Sequence, residues 1–226
     1  PAHVAGTKNQ KGMTVLELFA GSRSIGKAAE DLGMTVLSTD IHAYDGIDLV
    51  CDIMDIRTSD LQHYDVVWAS PPCTAFSVAA MGYHWNADRT PKTEGAQLGI
   101  RLAKKTLQII RDVQPKYWFI ENPRGMLRKQ DFMRDLPRTT VWYCQYGDNR
   151  AKPTDIWSNN LCSLSNPDGF VSRTCYNGNK ACHHESAPRG SRTGTQGRKN
   201  NHERSKIPHA LCIEILKSCQ HDSRTN

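Results

Sequence analysis

With 226 residues, 38% hydrophobic and 23% charged, the chain can fill one main domain and is not of disordered composition. No apolar run is long enough to cross a membrane, and residues 1–12 lack the apolar centre of a secretion signal, so no membrane partner and a cytoplasmic location are expected. The net charge of +6 lies in residues 171–206, where eight Lys or Arg face Glu185 and Glu203; the rest balances 21 of the 29 basic residues against 21 of the 23 acidic ones.

Residues 1–12 read as a disordered leader. "MTVLELFA" (13–20) is a short apolar run ending at Gly21, the mark of a buried strand, and "SIGKAAEDLG" (24–33) is a helix stopped by Gly33. "TVLSTDI" (35–41) and "YDVVWASPP" (64–72) are further strands, the latter ended by prolines that cannot continue a ladder. Residues 95–113 place Leu98, Leu102, Ile109, Ile110 and Val113 near one helical face. "PKYWFIENP" (115–123) and "TTVWYCQYG" (139–147) complete the strands. Strands alternating with helices predict an α/β fold with a parallel sheet covered on both faces. Ligands in such folds sit beyond the carboxyl ends of the strands, where Gly21, Asp40, Pro71-Pro72-Cys73 and Glu121-Asn122-Pro123 fall.

From about residue 158 the periodicity vanishes. Residues 158–204 are rich in Asn, Ser, Gly, Cys and His, a long irregular stretch of the kind that is either functional or disordered. Its excess charge suits a polyanion partner; a solvated loop is the plainer reading. A helical pattern returns in "IPHALCIEILKSC" (207–219), with Pro208 in its first turn.

The eight cysteines read as reduced thiols, since no secretion signal is visible. Cys162, Cys175, Cys182, His183 and His184 crowd the irregular stretch. A Cys/His-rich insertion can be folded by zinc, although no C-x-x-C pair is present; free thiols and surface histidines are the alternative.

Taken singly, the chemical signals are modest. The turn in "LELFAGSRSIG" (16–26) lets a ligand approach backbone and helix N-terminus, but Arg23 occupies the second glycine position of a dinucleotide fingerprint. Asp40 and Asp52 suit ribose hydroxyls and an adenine amino group, yet an Asp at a strand end is often a cap. Cys73 stands after two stiff prolines, placed to attack an electron-poor carbon rather than to pack as a structural thiol. Glu121 ends an apolar strand, where burial raises a carboxyl pKa and fits it to share a proton with a ring nitrogen.

Together, LFAG (18–21), Asp40, Asp52, "PPCTAFS" (71–77) and "ENP" (121–123) resemble the DNA cytosine-5 methyltransferases over roughly residues 13–157. "YGDNRAKPTDIW" (146–157) and "APRGSRTGTQG" (187–197) look most like small phage- or prophage-type members. The resemblance implies a class I S-adenosyl-methionine-dependent methyltransferase (Rossmann-like) fold. It implies a catalytic core over 13–157, a small basic target-recognition region over 158–204, and a helix over 205–220 returning to the core. Phe19, Ala20, Gly21, Ser22, Asp40, Ile41, Asp52, Ile53 and Pro72 match cofactor positions. Cys73 is implied as the nucleophile on carbon 6 of a flipped cytosine, Glu121 as the partner of ring nitrogen N3, and Asn122 as support for the pocket. Lys152, with Arg150 and Thr154, aligns with the family's Gln-x-Arg-x-Arg strand, and Lys lacks the planar fork of Arg. Arg150, Arg189, Arg192, Thr193, Thr195, Gln196 and Arg198 are expected at the DNA, on a reader short enough to specify two to four base pairs. The expected partner is double-stranded DNA, bound by a monomer in the cytoplasm of a bacterium or a phage-infected host cell. Two other readings stay open: an RNA cytosine-5 methyltransferase, and an inactive cofactor-binding DNA module.

Overall fold

The computed structural model describes residues 12–185 and 201–221. Seven strands, β1 (Thr14–Leu18), β2 (Thr35–Asp40), β3 (Leu49–Val50), β4 (Val66–Ala69), β5 (Tyr117–Pro123), β6 (Arg138–Trp142) and β7 (Pro153–Ser158), form one sheet in the order β3-β2-β1-β4-β5-β7-β6. The first five are parallel. The expectation of a parallel sheet fails at β7, which runs antiparallel to both β5 and β6. The cause is the short connection from β6 to β7, ten residues over 143–152, which holds a turn but not a crossover helix.

Side chains alternate across the pleat into two cores. Val15, Trp68 and Phe119 pack beneath α1 (Ser24–Asp31) and α5 (His209–His221), with Leu211 and Ile215 from the latter. Leu16, Val67 and Ile120 face the opposite way, toward Ala103 and Ile109 of α3 (Glu94–Val113). Thr93 begins α3 by accepting from the Ala96 amide at 3.2 Å, and Glu94 in the first turn suits the helix dipole. The remaining helices are short: α2 (Met81–His84) and α4 (Asn201–Ser205). Pro208 precedes α5 rather than lying in its first turn. Among the described residues no helix is long and apolar enough to cross a membrane.

Residues 159–185 contain isolated bridges but no regular element. Phe170 sinks into the core under α5, and the 172–173 stretch is stitched to β6 by Thr139–Ser172 hydroxyls at 2.7 Å and by the Trp142 amide to the Arg173 carbonyl at 3.2 Å.

Candidate active site

The ends of β1, β2, β4 and β5 bring their unusual residues to one edge of the sheet. After β1 the chain turns through positive φ at Phe19 (57°), Gly21 (49°) and Arg23 (54°). A bulky aromatic held at positive φ is an outlier of the kind that clusters at functional sites. The Gly21 amide donates to one Asp40 oxygen at 2.9 Å and the His42 amide to the other at 2.9 Å. Asp40 thus ties the two loops together, while each oxygen keeps a lone pair for a hydroxyl. Asp52 caps a 3-10 turn, accepting from the Met54 amide at 2.9 Å. Ile41 is 58% exposed beside Asp40, whereas Ile53 is buried. Ser22 shares a 3.0 Å hydrogen bond with Ser24, whose hydroxyl accepts the Ile207 amide and so anchors the C-terminal segment to the turn.

Arg23 has a different office from the glycine it replaces. It is buried, donates from Nε to the Ser38 hydroxyl at 3.1 Å and pairs with Glu30. Ser38 donates to Glu17 at 2.7 Å, and Glu17 accepts the Ile25 amide at 3.0 Å. This buried network lies under the first helical turn and was not anticipated from sequence. Burial raises the Glu17 pKa against these hydrogen bonds.

Pro71-Pro72 lead from β4 into a turn that begins at Cys73. The Phe76 and Ser77 amides both donate to the Cys73 carbonyl at 3.0 Å, and Asn122 Nδ2 donates to the Pro71 carbonyl at 2.8 Å. Phe76 is fully buried, stacked on Trp85 at 5.6 Å, and its carbonyl accepts the Met126 amide at 2.7 Å. Gly125 makes this approach possible: a Cβ there would stand 2.1 Å from the Phe76 oxygen. The cysteine turn is therefore clamped between β5's exit and α3.

Glu121, at 5% exposure, receives the Tyr143 hydroxyl at 3.0 Å. Lys152 is the last residue before β7, at φ 27°, with its ammonium 4.5 Å from the centre of the Tyr143 ring and donating to the Arg204 carbonyl at 3.1 Å. Thiol, ammonium and carboxyl form one electrostatic group. Burial raises the Cys73 pKa; Lys152 opposes that rise and Glu121 adds to it. Burial likewise raises Glu121 and lowers Lys152, each resisted by the other's charge. Tyr143 is a further participant that sequence reading missed, hidden in what looked like a plain apolar strand.

Some expected site residues lie elsewhere. Arg150, expected at the DNA, is 2% exposed: Nε donates to both Asp148 oxygens at 2.9 and 3.0 Å, and Nη1 to the Arg204 carbonyl at 3.0 Å. Its guanidinium thus joins its own loop to the 204–206 segment, with Nη2 on the Lys206 carbonyl at 3.2 Å. Thr154 is buried and bonds the Lys152 carbonyl. Arg189, Arg192, Thr193, Thr195, Gln196 and Arg198 lie outside the described residues. Among the cysteines, Cys162 donates to the Pro167 carbonyl and His183 reaches the Asp148 carbonyl at 3.1 Å, so neither joins the group that Cys175, Cys182 and His184 form with Cys144.

Comparison with known proteins agrees with this geometry. Residues 13–136 match the model of the C-5 cytosine-specific DNA methylase family. A protein of Frog virus 3 (isolate Goorha) named "Probable DNA (cytosine-5)-methyltransferase" is 30% identical over 225 residues, covering 92% of this chain and 100% of its own length. A prophage-encoded protein of E. coli, described as a DNA modification methyltransferase, shares the fold with a TM-score of 0.50 at 15% identity; the match covers 73% of this chain and 52% of that one. The chain belongs to the C-5 cytosine-specific DNA methylase family and is an S-adenosyl-methionine-dependent DNA cytosine-5 methyltransferase.

Proposed function

We propose that Cys73 is the nucleophile, Glu121 the acid at ring nitrogen N3, and Lys152 the cation that holds both in register, acting on a cytosine flipped from duplex DNA. The convergence of thiol, ammonium and carboxyl at one sheet edge carries the reading. Cys73 adds to carbon 6 as its thiolate. Glu121, raised by burial, shares its proton with N3 and so takes up the charge that the attack puts on the ring. The Tyr143 hydroxyl fixes which way the carboxyl points. Carbon 5 gains a methyl group and loses its proton, and the carbon–sulfur bond breaks to regenerate the thiolate.

The turn after β1 fits the cofactor. Phe19, Ala20, Gly21 and Ser22 offer a close backbone approach, Asp40 lone pairs for ribose hydroxyls, Asp52 an acceptor for an adenine amino group, and Ile41 and Ile53 apolar contact, with Pro72 beside the reacting centre. When bound, the cofactor supplies the electrophilic methyl group. Asn122 supports the pocket by holding the cysteine turn through the Pro71 carbonyl.

Duplex DNA carrying 5-fluorocytosine tests this reading, because fluorine cannot leave as the proton does. With labelled S-adenosyl-methionine, a denaturing gel shows a labelled protein–DNA adduct that Cys73→Ser abolishes. An adduct on RNA alone moves the substrate to RNA. Tight binding without any adduct leaves an inactive DNA module.

A further inference from the structure

We infer that Cys144, Cys175, Cys182 and His184 bind a structural zinc ion that clasps the irregular segment onto the catalytic core. Their ligand atoms all lie within 4.8 Å of one another, although one residue belongs to the core and three to a loop some thirty residues further on. Tetrahedral zinc, with Zn–S near 2.3 Å and Zn–N near 2.0–2.1 Å, sets neighbouring ligand atoms about 3.5–3.8 Å apart. Cys175 Sγ and His184 Nδ1 stand 3.8 Å apart. Three thiols and an imidazole select zinc over calcium or magnesium, which take oxygen.

The surroundings suit thiolate ligands. Asn179 Nδ2 points at Cys175 Sγ at 3.4 Å, and Gln145 Nε2 at Cys182 Sγ at 3.5 Å and at Cys144 Sγ at 3.8 Å. Amide donors aimed at sulfur are the outer hydrogen bonds by which a protein steadies such ligands. All eight cysteines are free thiols. Over residues 171–185 no side chain is buried, so apolar packing does not account for the ordered path of the loop; a metal supplies what a core does not.

The position gives the clasp a purpose. Cys144 follows Tyr143, whose hydroxyl holds Glu121. The Glu185 amide donates to the Asn149 carbonyl at 2.9 Å, three residues before Lys152. Residue 185 is also where the basic stretch 186–200 begins. Zinc there fixes the root of the expected DNA reader against the loop that delivers Lys152. This last step rests on the proposed function; the ligand set does not.

The full chain, purified from zinc-supplemented culture without chelator, tests the proposal through its metal content. One zinc per chain is expected, released to a chromogenic chelator when a mercurial titrates the thiols. Cys182→Ser and His184→Gln lower the content toward zero, while Cys162→Ser and His183→Gln keep it. His184→Gln, on a loop, carries the test if the buried Cys144→Ser does not fold. Cobalt in place of zinc gives a thiolate charge-transfer band and the visible bands of a tetrahedral ion. A metal-free chain without that band, iron instead of zinc, or a disulfide among the three cysteines overturns the site. Full zinc in the unsubstituted chain together with unchanged DNA affinity in the zinc-depleted His184→Gln overturns the clasp. These readings need neither cofactor nor methyl transfer, so a failure of the catalytic assignment leaves them intact.

Discussion

The sheet edge that carries Cys73 and the irregular segment over 159–185 hold their functional groups by opposite means. Around Cys73 the groups are aimed by burial: Phe76 is sealed under the cysteine turn, Asn122 grips Pro71, and Glu121 lies against Tyr143. In the segment, burial is confined to Asn160 and the 169–170 turn region, and polar contacts do the rest, ending in a cluster of sulfur and nitrogen. The first arrangement fixes atoms for bond making. The second lets composition drift while a few ligands keep the path, which suits a surface that meets a variable partner.

Sharpening that contrast begins with the largest effect. Cys73→Ser lowers methyl transfer by roughly 10^3-fold or more, since nucleophile removal ranks among the costliest lesions; labelled-methyl transfer checks it, and cofactor affinity is retained. Glu121→Gln is next, with a loss of about 10^2–10^4-fold, the range for a general acid, read in single turnover. Arg128→Ala breaks the pair with Asp155, which is fully buried and also bonded by Arg138 and Thr140. Arg138 and Thr140 remain, so the loss is that of one charge-assisted bond, about 1.5–3 kcal/mol, measured by denaturant unfolding; a loss above about 3 kcal/mol would show that Arg138 cannot keep the carboxylate paired.

Gly125→Ala is subtler. The added Cβ must push the Phe76 carbonyl aside, so kcat falls while the KM for cofactor holds. Equal loss in both would mean that the whole edge has collapsed. The smallest effect is a displacement in pH. Lys152 is the charge that opposes the burial-raised Cys73 pKa. Removing it in Lys152→Met raises that pKa further, so the thiolate appears only at higher pH. The rising limb of the single-turnover pH profile then moves to higher pH, and an unmoved limb would detach Lys152 from the nucleophile.

Much of the edge was legible. The apolar runs located β1, β2, β4 and β5, and the breakers after them located the loops, because buried parallel strands must be apolar and their ends must turn. Strand direction was less visible: period-2 hydrophobicity is the same read either way, and only the ten-residue gap before Pro153 signalled that β7 reverses. Arg150 was placed by its alignment with the family's strand, and alignment carries no sign of burial; Asp148, two residues earlier, turns the guanidinium inward. Cys144 was invisible as a ligand because an apolar neighbourhood explained it already, and its partners are distant in sequence. Arg23 at positive φ explains why a glycine suits that position, and its pairing with Glu30 and Ser38 explains how an arginine is accommodated there.

The reversal of β7 has a consequence for how such an enzyme can change over generations. Because the strand enters at the catalytic edge, it leaves at the far edge, where Ser158 pairs with Phe119. Whatever follows starts on the wrong side, a strand's length of about 20 Å away from the base. Part of every insertion after Ser158 is therefore return journey, and only the remainder can reach a substrate held at the catalytic edge. Shortening such a stretch consumes its reach before it loosens the tether, so length lost here is lost from whatever the segment can touch and not from the catalytic edge.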